Sequence, residues 1–241
     1  MSNMIRGNSL VGLLKAGAVL FMILPALVLL SCDSEAYPYY INLDHGVLWI
    51  SNSGDNTVTC IDRFSDTEIG TYHVGPNPSR TAVDLEGNCW VGCRNDDSVW
   101  YVTVDGKTTE YNGFDAARGV ALDPRGNVWI ANSGNQTIQW IDTKTGTVSD
   151  QVNVPGAAYL YGAVVDADGI LWISDNTGGS VIRYPTSAFP SEDEFTTIDV
   201  SSIYGITADF NGFIWAAGQD GSIRRIDPAD NSIESWTTGF T

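Results

Sequence analysis

Basic residues are scarce. Twelve Lys and Arg stand against 29 Asp and Glu in 241 residues, a formal charge of −17. Phosphate binding needs a Lys/Arg excess on one face, so no broad nucleic-acid surface is expected. Cysteine occurs four times, too sparse for a small disulfide-stapled scaffold in a chain long enough for one large domain. Charged residues make up only 17%, and aromatics reach 11%, which excludes a disordered chain. Beyond residue 31 no stretch keeps a helical period, so a helical domain is excluded as well.

The one long hydrophobic run lies at the start. Residues 1–31 contain no acid, carry Arg6 and Lys15, and then run uncharged from Ala16 to Leu30. Fifteen residues of helix rise about 22 Å, short of the roughly 30 Å of a bilayer core, so the layout reads as a signal peptide. The run ends in Leu29-Leu30-Ser31-Cys32, which resembles the lipobox of bacterial lipoproteins. The resemblance implies cleavage before Cys32, acylation of that residue, and a membrane anchor of two or three chains, with Asp33 resembling an inner-membrane retention signal. Loss of Arg6 and Lys15 would leave 10 bases against 29 acids, or −19. An anionic membrane surface repels such a body, so lipid on Cys32 is the expected anchor. The expected organisation is a leader at 1–31, a short tether at 32–38 and one domain at 39–241, in the bacterial cell envelope and facing the periplasm or the cell exterior.

Beyond the leader the sequence repeats itself. Gly precedes Trp by three positions at Gly46/Trp49, Gly87/Trp90, Gly126/Trp129, Gly169/Trp172 and Gly212/Trp215, at spacings of 41, 39, 43 and 43. Asp84, Asp123, Asp166 and Asp209 each stand three before the Gly, and Asp44 two before it, which is tight-turn chemistry. Calcium is the rival reading of these acidic turns, but each offers too few oxygens. Within a unit the segments are short, β-branched and aromatic. The third reads as strands Gly119–Asp123, Asn127–Ala131, Thr137–Asp142 and Val148–Val154. Four strands repeated about every 41 residues predict an all-β fold, a β-propeller with five blades visible. The first inner strand is expected at Tyr39–Asp44 and the last outer one near Ser232–Thr238. Five blades either close on one another, which predicts a monomer, or form part of a six- or seven-bladed ring. The repeated Trp is expected to pack between blades.

The pattern from Gly126 to Asp142 resembles the superfamily of streptogramin (virginiamycin B) lyase, NHL-repeat and gluconolactonase-like proteins. One propeller fold hosts lyases, lactonases and binding modules, so the resemblance carries fold further than activity. A lyase-like activity implies a His with Glu side chains and a divalent metal at the channel mouth. His45 falls in a turn on the opposite face and His73 in an outer strand, so neither fits proton transfer there. A lactonase-like metal site implies convergent acids and amides, for which Asn52, Asn132 and Asp175 supply one charge.

By propeller geometry, the loops that enter the inner strands share a face with the loops after the Trp-bearing strands. Equivalent entry positions are Tyr39, Ser79, Arg118, Tyr161 and Tyr204, with Arg80 beside Ser79. The loops after the Trp-bearing strands open at Asn52, Cys93, Asn132, Asp175 and Gly218. Positions that change chemistry between repeats are candidate contacts. The expected ligand site is Tyr39, Arg80, Arg118, Tyr161, Tyr204, Asn52, Asn132 and Asp175. Aromatic faces with Arg donors suit a glycan or an envelope peptide, with Arg80, Arg94 and Arg118 as a local positive patch. The reading is a binding or scaffold module with no catalytic residue and no cofactor. The alternative is a lyase-like or lactonase-like enzyme with a divalent metal. Cys89 and Cys93 are too far apart along one strand to bridge, Cys89 is expected in the core, and a Cys60 bridge to the second blade stays open.

Overall fold

The computed structural model describes residues 46–239, and in them every regular element except two short 3-10 turns is a strand. Cys32, Tyr39, the expected inner strand at Tyr39–Asp44 and His45 lie outside the described residues. Blade 1 contributes β1 (Val47–Asn52), β2 (Thr57–Asp62) and β3 (Thr67–His73). Blade 2 holds β4 (Pro78–Val83), β5 (Cys89–Cys93), β6 (Ser98–Val102) and β7 (Thr108–Asn112). Blade 3 holds β8 (Ala117–Leu122), β9 (Asn127–Asn132), β10 (Thr137–Asp142) and β11 (Val152–Asn153). Blade 4 holds β12 (Leu160–Val165), β13 (Ile170–Asp175), β14 (Ser180–Pro185) and β15 (Thr196–Asp199). Blade 5 holds β16 (Gly205–Ala208), β17 (Ile214–Ala217), β18 (Ser222–Ile226) and β19 (Ile233–Thr237). Each blade is an antiparallel meander paired in chain order. The inner strands β4, β8, β12 and β16 stand side by side, as the blades of a β-propeller do.

The repeated Asp-to-Trp spacing has a physical cause. Asp123 accepts the amides of Arg125 at 2.8 Å and Asn127 at 2.9 Å with one oxygen, and the Trp129 indole N–H at 3.0 Å with the other. Asp166 repeats this with Asp168, Ile170 and Trp172, and Asp209 with Asn211, Phe213 and Trp215. A single carboxylate thus closes the turn and pins the indole of the next strand. Blade 2 keeps the turn, with Asp84 accepting the Glu86 and Asn88 amides and the Asn88 side chain, but its Trp90 indole nitrogen has no hydrogen-bond partner.

The Trp side chains fill the space between blades, as their repeat predicted. Trp49 packs with Cys89 and Val91 of blade 2, Trp90 with Val128 and Ile130 of blade 3, Trp129 with Leu171 and Ile173 of blade 4, and Trp172 with Ile214 and Ala216 of blade 5. The residues on either side of each Trp therefore face the preceding blade. Small residues let the inner strands converge: a Cβ on Gly119 would lie 3.0 Å from that of Ala163 in the neighbouring blade.

Among the described residues, the packing of blade 1 on blade 5 that ring closure would bring is not made. Leu48 and Ile50, which flank Trp49, are 54% and 41% exposed, whereas their counterparts in blades 2 to 5 are buried. At the other end Trp215 stacks on Trp236 of its own blade at 5.7 Å, and Trp236 is 46% exposed. Among the described residues, both faces that closure would bury are open to solvent. Cys60, Cys89 and Cys93 are all buried and free, so the open question of a Cys60 bridge is answered by reduced thiols in one core. Burial, with nearby Asp96, pushes the Cys93 thiol up to about 12.

Candidate functional site: an arginine and tyrosine cluster at the inner-strand mouth

Residues at the start of each inner strand pair with the end of the Trp-bearing strand: Pro78 with Cys93, Ala117 with Asn132, Leu160 with Asp175, and Gly205 with Ala217. The two sets of loops therefore share one face, as propeller geometry required. At that face the ladder slips in three blades. The register breaks between Pro78 and Thr81, between Ala117 and Gly119, and between Leu160 and Ala163. A β-bulge re-aims the side chains it carries, and these bulges carry Arg80, Arg118 and Tyr161.

Those three side chains, with Tyr159 and Tyr204, form one cluster. The Arg118 guanidinium carbon lies 3.7 Å from the Tyr161 ring centroid and that of Arg80 4.6 Å from the same ring. Arg80 also reaches the Tyr204 ring at 5.3 Å, and the Tyr161 and Tyr204 rings are 4.4 Å apart. Arg118 donates to the Tyr159 hydroxyl at 3.4 Å. Blade 2 is thus joined to blades 3, 4 and 5 across the mouth. Arg118 and Tyr161 are each 6% exposed, and Tyr204, at 42%, forms the rim. Burial by itself raises the Tyr161 phenol, but the Tyr204 hydroxyl and the Arg118 and Arg80 charges outweigh it and hold the group below the ordinary tyrosine value. Tyr204 moves the other way, first through its coupling to Tyr161 and then through burial.

Of the expected site residues, the structure brings together Arg80, Arg118, Tyr161 and Tyr204. Ser79 is half-buried beside Arg80, and it is Arg80 whose guanidinium reaches the rings. Tyr159 was missed, although Tyr159-Leu160-Tyr161 is a same-face pair at strand spacing. Asn52, Asn132 and Asp175 are spent on the scaffold. The Asn52 amide donates to Thr57 and Thr59. Asn132 donates to Thr137 and Gln139 and accepts the Asp115 amide at 3.2 Å. Asp175 accepts the amides of Ala158 at 2.9 Å, Tyr159 at 2.7 Å and Gly178 at 3.0 Å. Asn132 and Asp175 therefore grip the loops that deliver Arg118 and Tyr161, acting one step behind the cluster.

A divalent metal does not fit this donor set. Asp175 has both oxygens committed to backbone amides, the cluster itself is cationic and phenolic, and no group of three His, Cys, Asp or Glu among the described residues could hold an ion. His73 is exposed at the end of an outer strand. A cavity of about 310 Å³ lies at the opposite face, lined by Gly46, Val47, Asp62, Phe64, Ile69, Glu86 and Val104, and shares no residue with the mouth.

Comparison with known proteins agrees with this fold. The NHL repeat family model matches residues 114–141, which span the end of blade 2's last loop and most of blade 3. No curated protein matches the sequence significantly. Virginiamycin B lyase from Staphylococcus aureus, as the selenomethionine protein, is similar with a TM-score of 0.70 at 20% identity, over 81% of this chain and 68% of that one. A catalytically inactive variant of the same lyase with quinupristin gives 0.72 at 20% identity, over 82% and 68%. Hydrazine synthase of Kuenenia stuttgartiensis gives 0.68 at 19% identity, over 79% and 62%. The chain spans about two thirds of the length of the solved lyases it matches. What it shares with them is the β-propeller fold, and the NHL repeat model matches mostly within its third blade.

Proposed function

We propose that the chain is a lipid-anchored, extracytoplasmic binding module whose inner-strand mouth holds a glycan or an envelope peptide without turning it over. The observation that carries this is the cluster itself: three tyrosines and two arginines meet where chemistry would call for a base, an acid or a metal ligand. Aromatic faces give sugars and peptides flat apolar contact, and guanidiniums give directed donors.

Binding is tested on Tyr204, because it is exposed; replacing the buried Tyr161 by Ala would leave a cavity costing about 3–5 kcal/mol and confuse binding with folding. Tyr204→Ala should weaken retention on glycan and envelope-peptide arrays while the thermal midpoint stays nearly constant. Unchanged retention, or unfolding of the variant, would leave Tyr204 a plug and reject the reading. The anchor is tested separately: Cys32→Ser should release the protein from the membrane fraction and abolish processing before that position, and continued membrane retention with the same cleavage would refute it.

A further inference from the structure

We propose that the mouth takes its ligand by a carboxylate, clamped between Arg80 and Arg118, with the rest of the ligand lying on Tyr204. This rests on the binding reading and names the group that is bound. Acids outnumber bases more than twofold in the chain, yet among the described residues neither arginine has an acidic partner. The protein pairs a buried arginine where the role is structural. Arg224, equally buried, holds Asp220 at 2.8 Å and the Ser202 carbonyl at 2.7 Å.

Arg118 is nine-tenths buried and its Nε has no hydrogen-bond partner; the Nε and Nη2 of Arg80 are buried with none either. A buried guanidinium left unpaired is costly, and two beside one ring add mutual repulsion, so the pair is poised for an anion that satisfies both. Both guanidinium carbons lie over the Tyr161 ring, at 4.6 and 3.7 Å, and the unpartnered N–H groups of the two arginines suit a carboxylate that can take a pair of them. Arg94, on the loop after β5, is bonded to the Asn77 side chain and also has its Nε unpartnered. The formal charge of −17 repels multiply charged ligands at long range, which favours a monoanionic carboxylate over a phosphate.

The test is a titration of the isotopically labelled full chain, following the arginine Nε–H resonances, with glucuronate, glucose and inorganic phosphate at constant ionic strength. Glucuronate should shift the Arg80 and Arg118 signals saturably, glucose should leave them in place, and phosphate should bind at least about tenfold more weakly. Arg80→Gln and Arg118→Gln should each weaken glucuronate binding by about tenfold or more, and Arg80→Lys should not restore it. Should Arg118→Gln fail to fold, the half-buried Arg80 carries the test. The proposal is overturned by silent arginine signals up to tens of millimolar glucuronate, by phosphate binding as tightly, or by indifference to Arg80→Gln. If it falls while array retention still depends on Tyr204, the carboxylate alone is wrong; if that dependence is absent too, the binding reading has failed with it.

Discussion

Asp123 shows how much one side chain can specify. Its carboxylate takes two backbone amides and an indole N–H while buried. Burial raises its pKa, but the Trp129 and Asn127 hydrogen bonds outweigh that and hold it below the ordinary carboxylate value. A group depressed in the folded state contributes stability above its unfolded pKa of about 3.9 and loses it as pH falls through the lower folded value. Asp123→Asn should therefore cost about 1–3 kcal/mol at neutral pH, and less as the pH drops below about 4. Denaturant melts at pH 7 and pH 3 check this; an equal cost at both would deny that the ionised form is what the fold uses. The turn was legible in the sequence because Asp, Gly and Trp recur at constant spacing, and the constancy reflects the recurring hydrogen bonds. The indole bond itself was not, since packing alone accounted for the Trp.

Elements carry what residue spacing could not. Counting back from the turn Asp placed Ser79, Arg118, Tyr161 and Tyr204 at equivalent positions, but no residue type announces a bulge. The slip between Pro78 and Thr81 brings Arg80 to the Tyr161 ring. Asn132 and Asp175, expected as ligand contacts from their place at the mouth loops, end the Trp-bearing strands by gripping the incoming loops, a role that residue type alone does not announce. Of the expected strands, β10 falls at Thr137–Asp142 and β19 within Ser232–Thr238, whereas the expected Val148–Val154 shortens to β11 at Val152–Asn153, with Val148 in an isolated bridge to Ile141. Asp175→Ala strands three amides and should cost about 2–3 kcal/mol while loosening Tyr159 and Tyr161. Asp175→Asn should recover part of that, because Asn132 does a similar task one blade earlier. A calorimetric series of the two variants checks it, and an Asn variant as unstable as the Ala variant would contradict it.

Across the whole molecule, the repeat made the blades legible but not their closure, since closure depends on contacts that no single repeat contains. Blades 2, 3 and 4 are packed on both faces, whereas the described faces of blade 1 with Leu48 and Ile50 and of blade 5 with Trp236 are open. Hydrogen exchange should accordingly find the amides of β9 and β13 the slowest, and those of β3 and β19 the fastest among strand amides. Equal protection in all five blades would mean that the end faces are covered in solution. Arg80, Arg118, Tyr159 and Tyr161 come from the better-packed blades 2, 3 and 4, and Tyr204 at the rim from blade 5. As proposed above, this site binds its ligand and does not transform it. It is tested by incubating the full chain with the glycans or peptides it retains, and with lactone and streptogramin substrates plus added divalent metal, and by following what is recovered with chromatography and tandem mass spectrometry, which separate a ring-opened isomer from the closed ring of equal mass. Every compound should return with its mass unchanged and the streptogramin ring closed; a ring-opened, hydrolysed or eliminated product forming in proportion to the protein would contradict it.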